Sequence, residues 1–283
     1  MKELNPNPLS LVPIFLGMFL EETKQKLASG TGFMYKDNEK LYLITNWHNV
    51  TGLNPTTKKP LSTHGGVPNI LTLSLVVKNS KPTEWRNFHI NLYDSNGNAE
   101  WFIHPIHKEL VDVIAIEIEP SDDFKGIFKP INDLVFNDFE IEIADDVFIL
   151  GYPLSMTGGG FFPIWKKGTI ATEPEIDLER LPKFLVDASS KQGMSGSPVI
   201  MRKNGVHFKE ISDSLFGTIE SFIGIYSGRI KSCQNKKCNC PKCNDKNCTV
   251  DYYDTDSQLG IVWKKNVIEE IIQGKVKGEQ NGL

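Results

Sequence analysis

A chain of 283 residues with 40% hydrophobic composition can bury a sizeable core, as one large domain or two small ones, and it excludes collagen-like, disordered and coiled-coil classes. Its formal net charge of -4 and isoelectric point near 5.9 leave no basic footprint, so neither nucleic acid nor an anionic membrane surface is expected as a partner.

The first element is Leu9 to Leu20, LSLVPIFLGMFL. Pro13 interrupts the run, Glu3 cancels Lys2, and no Ala-x-Ala-like site follows, so it reads as a core strand and not as a signal peptide. It is also too short to span a bilayer. A cytoplasmic protein is the expectation.

Gly30-Thr31-Gly32-Phe33 comes next, then a turn at Lys36-Asp37-Asn38 and the apolar run Leu41 to Thr45. Asn46-Trp47-His48-Asn49-Val50 follows at once, which puts His48 at the end of a buried strand. Residues 52 to 70, rich in Gly, Pro, Thr and Lys, read as a long surface loop. Strands are expected over Leu71 to Val77, Phe88 to Tyr93 and Ala99 to Ile103, with a Ser95-Asn96-Gly97-Asn98 turn before the last. Several short strands separated by turns argue for an all-β barrel or sandwich.

Val111-Asp112-Val113-Ile114 opens the next strand. A carboxylate at the mouth of an apolar strand is costly to desolvate unless something hydrogen-bonds it, and the His48 imidazole is the candidate. Further on stands Gln192-Gly193-Met194-Ser195-Gly196-Ser197-Pro198, a serine between glycines on a tight turn that empties into a strand. Such a turn can expose the Ser195 hydroxyl and aim the Gly193 and Ser195 amides at one point, as a nucleophile beside an oxyanion hole.

The order His48, Asp112, Ser195 excludes the α/β-hydrolase order and the subtilisin order, and the Gly-x-Ser-x-Gly elbow is not met because Ser197 stands at its last position. His64, His89, His104, His107 and His207 are scattered with no shared metal spacing, and His104 before Pro105 reads as structural.

The cysteines form a separate feature. Cys233, Cys238, Cys240, Cys243 and Cys248 lie within sixteen residues, in the spacing C-x4-C-x-C-x2-C-x4-C. With no signal peptide the cluster points to structural zinc held by Cys238, Cys240, Cys243 and Cys248, with disulfides or free thiols as the alternatives. No cofactor is expected for catalysis. Gln258 to Trp263 returns to strand character. Asn266 with Glu269 reads as a capping box, and Val267, Ile268, Ile271 and Ile272 give one apolar helical face ended by Gly274, expected to pack on the second barrel. Lys275 to Leu283 is expected to be a frayed tail.

Gly30-Thr31-Gly32-Phe33, Ile44-Thr45-Asn46-Trp47-His48, Asp112-Val113-Ile114-Ala115, Gly151-Tyr152-Pro153 and Gly193-Met194-Ser195-Gly196-Ser197-Pro198 together resemble the trypsin-like, chymotrypsin-fold serine peptidases, in particular their bacterial non-zymogen branch. The resemblance implies two antiparallel six-stranded β-barrels with the site between them: an N-terminal barrel over 9–118 with His48 and Asp112, a linker over 119–145, and a C-terminal barrel over 146–274. The latter would carry Ser195, the Cys-rich insertion 231–250 and the C-terminal helix. It also implies that Ser189 stands at the floor of the pocket for the P1 side chain, where no acid selects Arg or Lys. Ser227, Gly228 and Arg229 would then line substrate main chain. Met194 stands where activated zymogens carry an aspartate, so a protein competent as synthesised is expected.

The function expected is an intracellular serine endopeptidase acting on proteins or peptides, restrained by a regulatory protein partner. The alternatives are a catalytically latent protease-fold scaffold that recognises a partner through the Cys-rich insertion, and an esterase using the same acyl-transfer chemistry.

Overall fold

The computed structural model describes residues 6–62, 65–76, 85–119, 128–137, 139–210, 213–230, 232–237, 249–254 and 258–279. The strands are β1 (Pro13–Leu20), β2 (Gln25–Asp37), β3 (Lys40–Thr45), β4 (Ile70–Val76), β5 (Trp85–Asn91), β6 (Trp101–Ile103), β7 (Ile114–Ile118), β8 (Asp146–Gly151), β9 (Ile164–Ile170), β10 (Lys183–Asp187), β11 (Pro198–Glu210), β12 (Asp213–Arg229), β13 (Ser232–Lys237), β14 (Thr249–Asp254), β15 (Leu259–Lys264) and β16 (Val276–Lys277). Two α-helices, α1 (Trp47–Thr51) and α2 (Val267–Gly274), accompany them. Among the described residues no helix is long and apolar enough to cross a membrane.

The strands form two antiparallel bodies, as the all-β double-barrel expectation requires. The second is a closed six-stranded barrel, β10-β15-β12-β11-β8-β9. The first carries, among the described residues, eight strands and not six, in the order β16-β6-β7-β3-β2-β1-β4-β5. The tail supplies one of the extra strands: Val276 pairs with Ile103 and Lys277 with Phe102, so the expected fraying gives way to backbone pairing.

Alternation sets the cores. In β1 and β4 the side chains of Ile14, Leu16, Met18, Leu71, Leu73 and Leu75 enter the core of the first sheet. The second barrel is filled around Val147, Ile149, Phe184, Met194, Val199 and Tyr226. A third apolar layer joins the halves: Phe33, Tyr42 and Ala115 of the first sheet meet Ile200, Phe222 and Trp263 of the second around the buried face of α2. Its Val267, Ile268, Ile271 and Ile272 are all buried, as the helical spacing predicts, but between the two bodies rather than on the second alone.

The capping box does not form. Asn266 has helical backbone angles and makes no side-chain cap, and its Nδ2 donates instead to Glu270 one turn on. Glu269 accepts from Tyr35 across the interface, and Lys275, not Gly274, takes the left-handed turn that ends the helix. β13 and β14 pair as a hairpin that ends with Lys237 opposite Thr249. Cys238, Cys240, Cys243 and Cys248 lie outside the described residues.

Candidate active site

His48 does not end a strand: β3 stops at Thr45, and His48 sits in the first turn of α1. The short helix ends at Gly52, in the left-handed conformation at φ 69°, whose amide donates to the His48 carbonyl. Asp112 caps the other end, its Oδ1 accepting from the His48 amide at 2.9 Å. Its Oδ2 is 2.6 Å from His48 Nδ1. A carboxylate can only accept here, so Nδ1 is the donor, and Nε2 is the ring nitrogen left to exchange a proton with a reacting group. Asp112 is 1% exposed, and the His48 side chain 14%.

A third donor reaches Asp112 from the second barrel. Ser227 Oγ donates to Oδ2 at 2.5 Å. The register between β12 and β15 slips between Tyr226 and Gly228, which leaves Ser227 as the unpaired residue of a bulge. A bulge turns a side chain out of the regular alternation, and here it delivers both the Ser227 hydroxyl and its carbonyl to the cleft. That carbonyl accepts from Ser195 Oγ at 2.8 Å. Among the described residues the Ser195 hydroxyl bonds Ser227 and not the His48 ring.

The Ser195 turn is held by left-handed glycines at both sides, Gly193 at φ 95° and Gly196 at φ 85°. A side chain at Gly193 would meet the Tyr152 carbonyl and one at Gly196 the Thr31 carbonyl, so only glycine fits either place. The Gln192 carbonyl accepts from the Leu154 amide at 2.6 Å and the Met194 carbonyl from the Ser197 amide at 3.0 Å. In a planar trans peptide the N–H points opposite to the C=O. The Gly193 and Ser195 N–H groups are thereby turned the other way, and among the described residues neither donates to a protein acceptor.

Thr31 of the first sheet ties this turn across the cleft. Its amide donates to the Ser195 carbonyl at 2.8 Å, and its Oγ1 to the Gly193 carbonyl at 2.9 Å. Asn49 Nδ2 adds a bond to the Ser195 carbonyl at 3.2 Å. Neither residue was singled out as functional from sequence. For Thr31 the signal was the pair of glycines flanking it, which permit close backbone approach, whereas nothing marked Asn49. Leu154 carried no signal either.

Of the residues expected to meet substrate, Ser189 is exposed, while its neighbour Ser190 is buried with its hydroxyl against Tyr226 Oη. Burial pushes the Tyr226 hydroxyl up to about 12, so it stays protonated. Gly228 and Arg229 are half-buried, and a side chain built on Gly228 would meet no neighbouring atom. Met194 is fully buried in the second core, so the residue before Ser195 anchors the turn by packing.

An antiparallel two-body β-fold with a histidine–aspartate pair on one body and a glycine-flanked serine turn on the other defines the class of trypsin-like peptidases. The model of the trypsin-like peptidase domain matches residues 30–206, more than half of the chain, and the chain belongs to that family. Membership implies a protein or peptide substrate. No curated protein matches the sequence. Two solved structures of Rv3671c from M. tuberculosis H37Rv resemble it. One is a serine-to-alanine mutant in the inactive form, at 15% identity and TM-score 0.43, covering 95% of this chain and 94% of that one. The other, the protease in its inactive form, is at 16% identity and TM-score 0.41, covering 94% and 89%.

Proposed function

We propose that the chain is a serine endopeptidase in which His48, Asp112 and Ser195 act as the triad. The observation that carries this reading is the buried Asp112 carboxylate, bonded at once by the His48 amide, His48 Nδ1 and Ser227 Oγ beside the glycine-flanked Ser195. His48 Nε2 takes the Ser195 proton as Oγ attacks the scissile carbonyl carbon, then returns it to the leaving amine. Water hydrolyses the acyl-enzyme by the same route, and Asp112 stabilises each imidazolium. The Gly193 and Ser195 amides receive the oxyanion, each donor of this kind contributing about 100-fold to 1000-fold.

In the resting state the Ser195 hydroxyl occupies the Ser227 carbonyl. A substrate whose main chain lies along Ser227, Gly228 and Arg229 presents an N–H that competes for that carbonyl, freeing the hydroxyl to rotate toward His48. The same hydrogen bond is what favours the second reading, a latent scaffold. The resemblance gives the floor of the P1 pocket to Ser189, which is exposed, and not to an acid, so no preference for Arg or Lys at P1 is proposed.

Labelling with a fluorophosphonate tests the reading. Stoichiometric labelling of wild type that vanishes in Ser195→Ala is expected, and no labelling of folded wild type overturns it in favour of the latent scaffold.

The cysteines Cys238, Cys240, Cys243 and Cys248, which lie between β13 and β14 in sequence, are proposed as the ligands of a closed structural zinc site with no catalytic role. Metal analysis of purified protein is expected to find about one zinc per chain, and its absence removes the proposal.

A further inference from the structure

β1 is apolar on both faces, PIFLGMFL, a pattern proper to a strand covered on both sides. One side is covered by the core, and the other only in part, where the Tyr152 ring meets Phe15 edge-on at 5.3 Å. Phe15 and Phe19 point outward, Gly17 between them adds no side chain, and the neighbouring outward positions on β4 are Thr72 and Ser74. Phe161, from the second body, also lines this face. What is left is a hollow of about 410 Å³ against Phe15, Phe19 and Phe161, with Lys26 on its rim.

A second hollow, of about 390 Å³, shares Lys26 as a wall and runs past Leu27 and Ser29 to Leu154 and Gln192. Its inner end adjoins the chemistry: Gln192 precedes Gly193, and Ser29 stands two residues before Thr31, which bonds the Ser195 carbonyl. Leu154 is an unusual wall. It is 61% exposed, and both it and Ser155 are left-handed, at φ 53° and 59°, held there by the Leu154 amide on Gln192 and by Ser155 Oγ on Ser29 Oγ at 2.7 Å. A bulky residue kept in that conformation and presented to solvent beside the nucleophile is strain retained at a working surface. Among the described residues none that lines either hollow is acidic, and Lys26 stands 5.0 Å from the Phe15 ring and makes no ion pair.

We propose that the two hollows form one extended groove for the leaving-group side of the substrate, taking a segment that carries apolar side chains and an acidic residue. The inference rests on the peptidase reading above. The groove shares no residue with the Ser227–Arg229 strand assigned to the acyl side, and it is continuous with the cleft at Gln192. Leu154 and the aromatic floor receive apolar side chains, and Lys26 pairs with the acid.

A pool of peptides from a digested proteome tests it. Cleavage by wild type, with both new termini read by mass spectrometry, is expected to show apolar and acidic residues enriched at least threefold in the first five positions after the cut. Lys26→Glu is expected to exchange the acidic preference for a basic one. Leu154→Asn suits the left-handed backbone and keeps the turn, and it is expected to abolish the apolar preference nearest the cut. A flat profile after the cut, or one unmoved by both substitutions, overturns the groove. Fluorophosphonate labelling of wild type, which needs Ser195 and not the groove, separates its failure from that of the peptidase reading. Should labelling fail, the same pool passed over immobilised wild type and Lys26→Glu decides the groove: selective retention of apolar, acidic peptides by wild type alone supports it, and equal retention overturns it.

Discussion

Ser227 shows how much one displaced residue contributes at this site. Its hydroxyl is a donor to the buried Asp112 carboxylate, and its carbonyl holds the Ser195 hydroxyl. A hydrogen bond to a charged group is worth about 1.5–3 kcal/mol. Ser227→Ala keeps the carbonyl and loses the donor, so kcat is expected to fall by about tenfold or more with KM nearly unchanged. Equal kcat in steady-state kinetics would show that the His48 donors alone suffice. Met194 makes the opposite case. It is fully exchanged from water into the second core, so Met194→Asp would bury a charge without a partner. A loss of several kcal/mol and failure to fold at ordinary temperature is the expected outcome, read by chemical denaturation.

At the scale of elements, α2 is pinned as well as packed. His104, 1% exposed on the loop before Asp112, donates from Nε2 to Glu270 at 2.7 Å and accepts at Nδ1 from the Ile106 and His107 amides. A ring that accepts at Nδ1 has no room there for a second proton. Burial depresses its pKa below the ordinary 6.5, with Glu270 opposing and the nearby His107 ring adding to the fall. A depressed histidine contributes stability that is whole above pH 6.5 and is lost as pH falls below it toward the folded value. The Tm of wild type is expected to drop between pH 6.5 and 5, and His104→Gln to flatten that limb. Parallel pH profiles for the two proteins would dismiss the pin.

At the scale of the molecule, the two bodies share an apolar layer rather than a wet seam. The Phe33 and Phe222 rings meet edge-on across it at 5.6 Å, and the buried face of α2 completes it. β16 then returns the chain to the first sheet after the second barrel is finished. A chain closed in this way is expected to unfold as one cooperative unit, with coincident near-UV and far-UV transitions. Ile271→Ala opens a cavity in the shared layer and is expected to cost about 2–5 kcal/mol while keeping a single transition. Two separated transitions in calorimetry would mean that the bodies melt independently.

The sequence by itself determined the β class, from short alternating runs and turn residues, and the pairing of His48, Asp112 and Ser195 as candidates, from residue types whose chemistry needs one another. It also determined the buried face of α2, since a 3.6-residue period is a local property. The tertiary structure alone decided what depends on register or on distant backbone. Whether Ser227 faces the cleft turns on a one-residue bulge, which flips side chains without changing composition. The grip of Thr31 on the Ser195 turn spans 164 positions of chain and is made largely by backbone groups, which every residue has. The left-handed turn at Leu154, the strand made from the tail and the helix that carries His48 likewise follow from neighbours that no local pattern records. Local periodicity reports which faces are apolar, and only packing reports what covers them.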